Sequence, residues 1–387
     1  MLQRDLFNKV KFTLSRGKSI LLLGPRQVGK TTLVKELYFD RYITFMDPNH
    51  LRRYEIEPGL LIQEIEALTR SLNRLPLVIL DEIQKAPAIM DSIQVLIDNK
   101  SAQFVLTGSS ARKLRNLLPG RVIYYQLDPL VLTELAPLHL PLEHFLLNGS
   151  LPAIATISQQ TDINEELSSY VHTYLEEEIR KEALVRNIPA FSHFLKLAAT
   201  ESGNLVSFRN IAQEIGVSHS TIAEYYHILE DCMIAERFEP LTKSLTRKRL
   251  TKSPKYILFD LGIRRLSAQE GYPLPEQLLP KLFEQWVGLE LRHLTRQHSS
   301  PVSIKFWRDH SGPEVDWVIE INNTLIPIEV KWTNTPTLKD ARHLETFMQE
   351  YGIEKSFIVC RAPYPAQLNK KVTALPWQHL PQLLNLL

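Results

Sequence analysis

Nine residues between Gly24 and Thr32 have the types and spacing needed to hold a nucleotide phosphate. The segment GPRQVGKTT matches the pattern G-x-x-x-x-G-K-[ST]. Glycines let backbone N–H groups wrap around phosphate oxygens, and the N-terminus of a following helix adds partial positive charge. Lys30 is expected to reach the β- and γ-phosphates, and Thr31 to offer a hydroxyl to Mg²⁺. The loop residues predicted to bind nucleotide are Gly24, Pro25, Arg26, Gln27, Val28, Gly29, Lys30, Thr31 and Thr32.

Polar residues at the ends of two later apolar runs extend this site. The run LVILDE places Asp81 where it could hold Mg²⁺ and Glu82 where it could polarise an attacking water. That glutamate favours ATP hydrolysis over a GTPase-like switch. The run FVLTGSS would bring Thr107 or Ser109 near the γ-phosphate if its strand lies between the other two. An ordinary helix cap at Ser109 or Ser110 is an equal alternative.

Three arginines follow these runs in the sequence. Arg112 and Arg115 have the spacing of solvated helix residues. Arg121, between LPG and an apolar run, is the best candidate to contact a phosphate, in its own subunit or a neighbour's. A homo-oligomer is therefore an open alternative.

A second group of charged residues interrupts a predicted β-hairpin, SGPEVDWVIEINNTLIPIEVKW. A two-residue turn at the two asparagines sets Asp316 opposite Glu329 and Glu314 opposite Lys331. Strand alternation then places these four side chains on one face. The apolar residues predicted on the other face are Val315, Trp317, Ile319, Ile328, Val330 and Trp332.

Such facing carboxylates are suited to a divalent metal ion, because the ion removes the repulsion between them. Lys331 beside them could orient a water or stabilise charge on a phosphate. The simpler alternative is a cross-strand salt bridge between Glu314 and Lys331 on a solvated face.

The whole chain sets limits on these interpretations. It has 387 residues, is 44% hydrophobic and carries a formal net charge of +2, so any nucleic-acid surface must be local. Two cysteines far apart in sequence form neither a metal motif nor a disulfide framework, which suits a reducing cytosol. No signal peptide or membrane-spanning run is recognisable, so a cytoplasmic location without a membrane partner is expected.

Three kinds of element must position the two sites. Apolar runs alternate with amphipathic helices from Ser19 to about Leu127, which predicts a parallel sheet covered on both faces. Helical periodicity dominates from about Pro141 to Arg237. A long helix and several strands follow from about Leu278, which predicts a mixed α/β region.

The middle of the chain has the punctuation of a helix-turn-helix. FRNIAQEIG ends at Gly216, and Ser218 can cap the next helix. A basic stretch from Lys243 to Lys255 could contact DNA phosphates from a wing. The second helix starts without basic residues, so a protein-interaction role is an equal alternative.

The motifs LLLGPRQVGKTT, LVILDEIQ, FVLTGSSARKL and LPGRVIYYQLDPL together resemble bacterial and archaeal AAA-type P-loop ATPases that carry a C-terminal region of unknown function. Later segments, including LNGSLPAI, SPKYILFDLGIR and LFEQWVGLEL, extend the resemblance over nearly the whole chain. It implies ATP and Mg²⁺ as cofactors. The implied domains are an ATPase domain at 1–136, a helical and winged-helix region at 137–265 and a mixed α/β domain at 266–387.

The hairpin itself resembles the PD-(D/E)XK nuclease-like fold, although GPEVD replaces the usual Pro-Asp pair. That resemblance implies a further acid from a preceding helix, Glu284 or alternatively Glu290. It also implies catalytic roles for Asp316, Glu329 and Lys331, with Mg²⁺ or Mn²⁺ bound. The expected function is Mg²⁺-dependent ATP hydrolysis coupled to action on nucleic acid, with metal-dependent DNA cleavage as the activity expected of the C-terminal domain. The alternative is an ATP-gated DNA- or protein-binding regulator whose nuclease-like domain is inactive.

Overall fold

The computed structural model describes residues 2–110, 118–175, 187–242, 250–296, 298, 301–309, 312–322 and 324–386. The chain divides into two compact units. The first contains Met1–Leu130, Leu151–Ala153 and Asp231–Ile234, and the second contains the remaining residues. The three-domain division stays a prediction.

The first unit is built on a five-stranded parallel sheet with the order β2-β3-β4-β1-β5. Because β4 lies between β1 and β3, the condition for bringing Thr107 and Ser109 near the phosphate loop and the Asp-Glu pair is met. Apolar runs form these strands because both faces are covered by helices. The strands are β1 Ser19–Leu23, β2 Arg41–Thr44, β3 Leu77–Asp81, β4 Gln103–Gly108 and β5 Val122–Gln126. The helices are Leu6–Ser15, Lys30–Lys35, Pro48–Ile56, Leu60–Leu72 and Met90–Asp98.

The second unit begins with helices that surround a core of aromatic rings. Phe194 and Tyr226 have ring centroids 4.9 Å apart, and Tyr226 stacks on Tyr256 at 4.2 Å. Gly216 ends one helix with φ +80°, and the Ser218 hydroxyl accepts from the Thr221 N–H at the start of the next, as predicted. The helices are Leu132–Leu135, Leu142–Asn148, Gln160–Ser169, Ile188–Thr200, Phe208–Ile215, His219–Asp231 and Leu261–Ser267.

An eight-stranded sheet of order β12-β13-β11-β10-β9-β8-β6-β7 forms the rest of the second unit. The β6–β7 hairpin follows the helix His219–Asp231 and joins the sheet through β8. The long helix Leu279–Arg296 contacts Trp317, whereas Leu344 of helix Arg342–Tyr351 shares a cluster with Val318. The strands are β6 Ala235–Pro240, β7 Lys255–Leu258, β8 Ser303–Arg308, β9 Glu314–Ile321, β10 Thr324–Val330, β11 Ser356–Cys360, β12 Ala366–Gln367 and β13 Val372–Pro376.

The β9–β10 hairpin has the predicted register, since Ile321 pairs with Thr324 and Trp317 with Ile328. Its face assignment fails at Val315, which shares an apolar cluster with Val318 although strict alternation predicts opposite faces for them. A bulge against β8 pairs Lys305 with Val318 but Trp307 with Val315, which inserts one extra residue in β9. Simple alternation therefore fails there, and the Trp317 ring lies among the charged groups instead of opposite them.

Candidate functional site

The phosphate loop joins β1 to the helix Lys30–Lys35 and needs glycine at two positions. A Cβ on Gly24 would lie 2.2 Å from the Leu127 carbonyl oxygen, and Gly29 has φ +93°. The Lys30 ammonium donates to the carbonyls of Gly24 and Pro25, at 2.8 Å each. Lys30 is 5% exposed, so its charge is held over the loop by the loop's own backbone.

Asp81 lies at the end of β3 and accepts hydrogen bonds from three hydroxyls. Thr31 Oγ1 is 3.0 Å and Tyr42 Oη 2.7 Å from Asp81 Oδ2, and Thr107 Oγ1 donates to Oδ1. Burial and this carboxylate raise the pKa of Tyr42. The structure therefore brings the two predicted metal-binding residues, Thr31 and Asp81, into direct contact.

Glu82 follows Asp81 with φ +61°, a left-handed conformation that turns its side chain away from the strand direction. Its backbone N–H donates to Thr107 Oγ1 at 3.1 Å. Gln84 donates to Glu82 Oε2 at 2.6 Å and to Ser109 Oγ at 2.9 Å. Thr107 thus contacts the Asp-Glu pair directly, and Ser109 is linked to Glu82 through Gln84. Tyr42 and Gln84 were not predicted.

Of the three candidate arginines, Arg121 lies within the described residues and pairs with an acidic side chain. The Arg121 guanidinium contacts both carboxylate oxygens of Asp98, at 2.8 and 3.0 Å. The guanidinium also donates to the Pro119 carbonyl at 3.3 Å, and its phosphate role stays a prediction. Arg112 and Arg115 lie outside the described residues.

The second candidate site lies where β9 and β10 separate. Asp316 Oδ2 accepts from the Val330 N–H at 2.7 Å, and Lys331 Nζ donates to Glu329 Oε1 at 2.6 Å. Glu329 Oε2 is buried and has no hydrogen-bond partner among the residues that the structure describes. Burial raises the pKa of Glu329 to about 7, although the Lys331 ammonium opposes the shift. Burial, Glu329 and Glu284 together raise the pKa of Asp316 well above its usual range.

The helix acid Glu284 faces this pair and also binds a lysine. Lys255 Nζ is 2.7 Å from Glu284 Oε1, and it lies 5.4 Å from the centre of the Trp317 ring. The prediction that Lys255 belongs to a phosphate-binding basic stretch is therefore wrong, because Lys255 is 8% exposed and its charge is paired inside the fold. The stretch 243–249 lies outside the described residues.

The contacts bear on two alternatives, the identity of the helix acid and the cross-strand salt bridge of Glu314. Glu290 accepts from the Leu132 N–H at 3.2 Å, whereas the charge of Glu284 raises the pKa of Asp316. Glu284 is thus the helix acid that acts on the carboxylates. The proposed Glu314–Lys331 salt bridge is replaced by a pair between Glu314 and Arg308, at 3.2 Å.

Comparison with known proteins identifies the first unit. Residues 16–136 match the family described as AAA domain. The N-terminal region is an AAA-type P-loop ATPase domain. Residues 140–270 and 280–380 match two families described as domains of unknown function, DUF8612 and DUF4143.

Similar whole proteins come from mycobacteria. Uncharacterized proteins of Mycobacterium tuberculosis and Mycobacterium bovis are each 26% identical to this chain over 391 residues, covering 97% of this chain and 83% of theirs. The aligned part of this chain therefore includes the AAA domain and both regions of unknown function.

Among solved structures, a STAND ATPase with a tetratricopeptide repeat sensor from Pyrococcus horikoshii is 12% identical, with a TM-score of 0.29. That likeness covers 76% of this chain and 47% of the archaeal one, so this chain spans about half its length. The DNA clamp loader delta protein of Bacillus subtilis is 13% identical over 58% of this chain and 87% of its own, with a TM-score of 0.24. These scores are too low to support a conclusion about function.

The donor groups at both sites suit hard divalent cations. In the AAA domain a hydroxyl and a carboxylate, Thr31 and Asp81, are in contact, which is a donor pair that Mg²⁺ accepts. At the second site a buried oxygen of Glu329 lacks a donor within the described structure, and a neighbouring carboxylate repels it. A cation would satisfy that oxygen and relieve the repulsion. Among the described helices, none is long and apolar enough to cross a membrane.

Proposed function

We propose that the AAA domain binds Mg²⁺-ATP through Lys30 and Thr31 and hydrolyses it with Glu82. Support comes from the cluster of Thr31, Thr107 and Asp81 beside the loop. Lys30 would exchange the loop carbonyls for phosphate oxygens, which are stronger partners for an ammonium. Gln84 holds the Glu82 carboxylate in place, and that carboxylate is the group that would orient and polarise water.

We further propose that the hairpin site cleaves phosphodiester bonds with a divalent metal ion. The observation that carries this proposal is the meeting of Asp316 and Glu329 in a buried position, where one Glu329 carboxylate oxygen has no donor among the described residues. Asp316 and Glu329, with Glu284 nearby, would hold Mg²⁺ or Mn²⁺, which supplies Lewis-acid stabilisation and an acidified water. Lys331 is placed to stabilise negative charge on the phosphate.

DNA is the proposed substrate. The helices Phe208–Ile215 and His219–Asp231, followed by the β6–β7 hairpin, have the order of elements of a winged helix. The basic residues of the 243–249 segment lie between β6 and β7 in the sequence. They would contact DNA phosphates, with an affinity that falls as salt concentration rises. Because β6 also pairs with β8, a DNA-binding wing would be continuous with the sheet of the hairpin site.

The decisive experiment incubates the purified full-length protein with supercoiled and linear DNA, with Mg²⁺ or Mn²⁺, and with or without ATP. We expect metal-dependent nicking by the wild type and none by Asp316→Ala. Glu314→Ala is the matched control, since Glu314 lies on the same strand but pairs with Arg308. Equal cleavage by the wild type and Asp316→Ala would point to a contaminating nuclease and overturn the assignment.

One observation favours a second candidate, an ATP-gated regulator whose hairpin site does not cleave. The Lys255 ammonium already occupies Glu284 Oε1, at 2.7 Å. A lysine in the place of a metal ion would neutralise the acids without supplying Lewis acidity. DNA-stimulated ATP hydrolysis without any cleavage, under all metal conditions, would support this candidate.

A further inference from the structure

Lys255 is the one buried cation at the hairpin site that neither the motif nor the mechanism above uses. It comes from β7, in the part of the chain that precedes the C-terminal mixed α/β region. Its ammonium lies 5.0 Å from the centre of the Phe306 ring and 5.4 Å from that of Trp317, and it bonds Glu284. The two rings and the ion pair hold the ammonium in one place, because a buried ammonium that lost Glu284 would be left without its ion-pair partner.

The charges of the site can be counted from the same contacts. Asp316, Glu329 and Glu284 supply three negative charges when ionised, and Lys255 and Lys331 supply two positive ones. One net negative charge remains. One divalent ion brings the total to a single positive charge, which a bound phosphodiester then neutralises. Two divalent ions would leave a threefold positive charge in a largely buried pocket, where unpaired charge is strongly unfavourable.

We propose that Lys255 takes the place of a second metal ion, so that the hairpin site binds a single divalent cation. This inference rests on the proposed metal-dependent cleavage and specifies its metal requirement. Lys255 occupies the oxygen of Glu284 that a second ion would need, and its charge disfavours another cation nearby. Its role is to set the number of ions, and it acts through Glu284 rather than on the phosphate.

The test counts Mn²⁺ ions bound per chain by electron paramagnetic resonance of the free ion, without nucleotide. Subtracting the number bound by Asp316→Ala isolates the hairpin site from the AAA domain. We expect one Asp316-dependent ion in the wild type and two in Lys255→Met, with the first ion bound at least about tenfold more tightly in the variant. Methionine keeps the apolar stem between the two rings.

Two control variants separate charge from structure. Lys255→Arg keeps a positive charge and should keep one ion. Lys252→Met removes an exposed lysine of the same segment and should also keep one ion. Melting temperatures in EDTA verify that each variant is folded before ions are counted.

Each alternative count has a distinct meaning. Two ions in the wild type, or one ion in both the wild type and Lys255→Met, would overturn the inference while leaving metal-dependent cleavage intact. No ion in the wild type but one in Lys255→Met would show that the lysine replaces the only metal, which overturns the inference and supports the non-cleaving regulator. No Asp316-dependent ion in any variant would overturn both proposals.

Discussion

Two of the buried aspartates, Asp81 at the end of β3 and Asp316 near the start of β9, have surroundings that differ in kind. Asp81 accepts hydrogen bonds from three neutral hydroxyls, which satisfy its charge without a cation. Asp316 has one backbone donor and two neighbouring carboxylates, so its charge lacks this compensation. Neutral donors prepare a carboxylate for exchange with a metal that arrives with a nucleotide. Neighbouring carboxylates instead favour the binding of a resident cation or a proton.

The largest expected effect is the loss of ATP binding when the loop lysine of the AAA domain is removed. Lys30→Ala removes the ammonium bonded to the carbonyls of Gly24 and Pro25, and we expect ATP binding and hydrolysis to become unmeasurable. Glu82→Gln should retain binding and lower turnover by about 10²-fold or more, because water activation is lost while Asp81 remains. Fluorescent-nucleotide titration and phosphate release measure the two effects.

Lys18→Ala serves as the control for Lys30→Ala, since Lys18 is exposed and lies before β1. It should bind and hydrolyse ATP normally. Unchanged hydrolysis in both Lys30→Ala and Glu82→Gln would remove the ATPase assignment of these residues.

The next effect is the stabilisation expected when a divalent cation is added to the hairpin site. At a hundredfold excess over Kd, Mn²⁺ should increase the free energy of unfolding of the wild type by about 2.7 kcal/mol and so raise its melting temperature. Asp316→Ala should lose this response and, in EDTA, melt at or above the wild-type temperature, because one of two close carboxylates is gone. Glu314→Ala should respond as the wild type does. An equal Mn²⁺ response in the wild type and Asp316→Ala would place the ion elsewhere.

The pH dependence of stability gives a third effect with a defined sign. The pKa of Glu329 is about 7 in the folded protein and is lower when the chain is unfolded. Between these values the folded state keeps a proton that the unfolded state has lost, so stability falls as pH rises. The Glu329 contribution to this fall is up to about 1.4 kcal/mol per pH unit and ends near pH 7. Asp316, whose pKa is also raised, adds a contribution of the same sign.

Thermal melts in EDTA from pH 4 to 8 measure this fall, and Glu329→Gln should flatten it. Mn²⁺ competes with the proton, so its stabilising effect on the wild type should increase with pH over the same window. The same slope in the wild type and Glu329→Gln would show that Glu329 does not titrate in this way.

The two sites also differ in how much the sequence could predict. The phosphate loop is nearly contiguous, and Gly24 through Thr32 meet one another through local geometry alone. The two-residue hairpin turn fixed the register of β9 and β10, so the pairing of Ile321 with Thr324 follows directly from the letters. Both depend on short-range rules that a pattern can express.

Partners from distant segments could not be predicted in the same way. Lys255 resembles its basic neighbours in the sequence, and only the order of strands in the sheet places it beside Glu284. The bulge at Asp316 depends on β8, which pairs with β9 from the other side. Tyr42 reaches Asp81 because β2 and β3 are neighbours, and no motif records that contact.

The smallest expected effect tests whether the hydroxyls around Asp81 share one task. Tyr42→Phe removes one donor, and Thr31 and Thr107 still satisfy the carboxylate. We therefore expect a stability loss of about 1 kcal/mol and ATP binding within about fivefold of the wild type, measured by thermal melting and nucleotide titration. Tyr38→Phe is the control, because Tyr38 is 80% exposed and its hydroxyl should be dispensable. A loss of ATP binding by more than about a hundredfold in Tyr42→Phe would mean that Tyr42 itself orders the metal site. The three hydroxyls around Asp81 would then be unable to replace one another, and the site would depend on single residues as the charged cluster around Asp316 does.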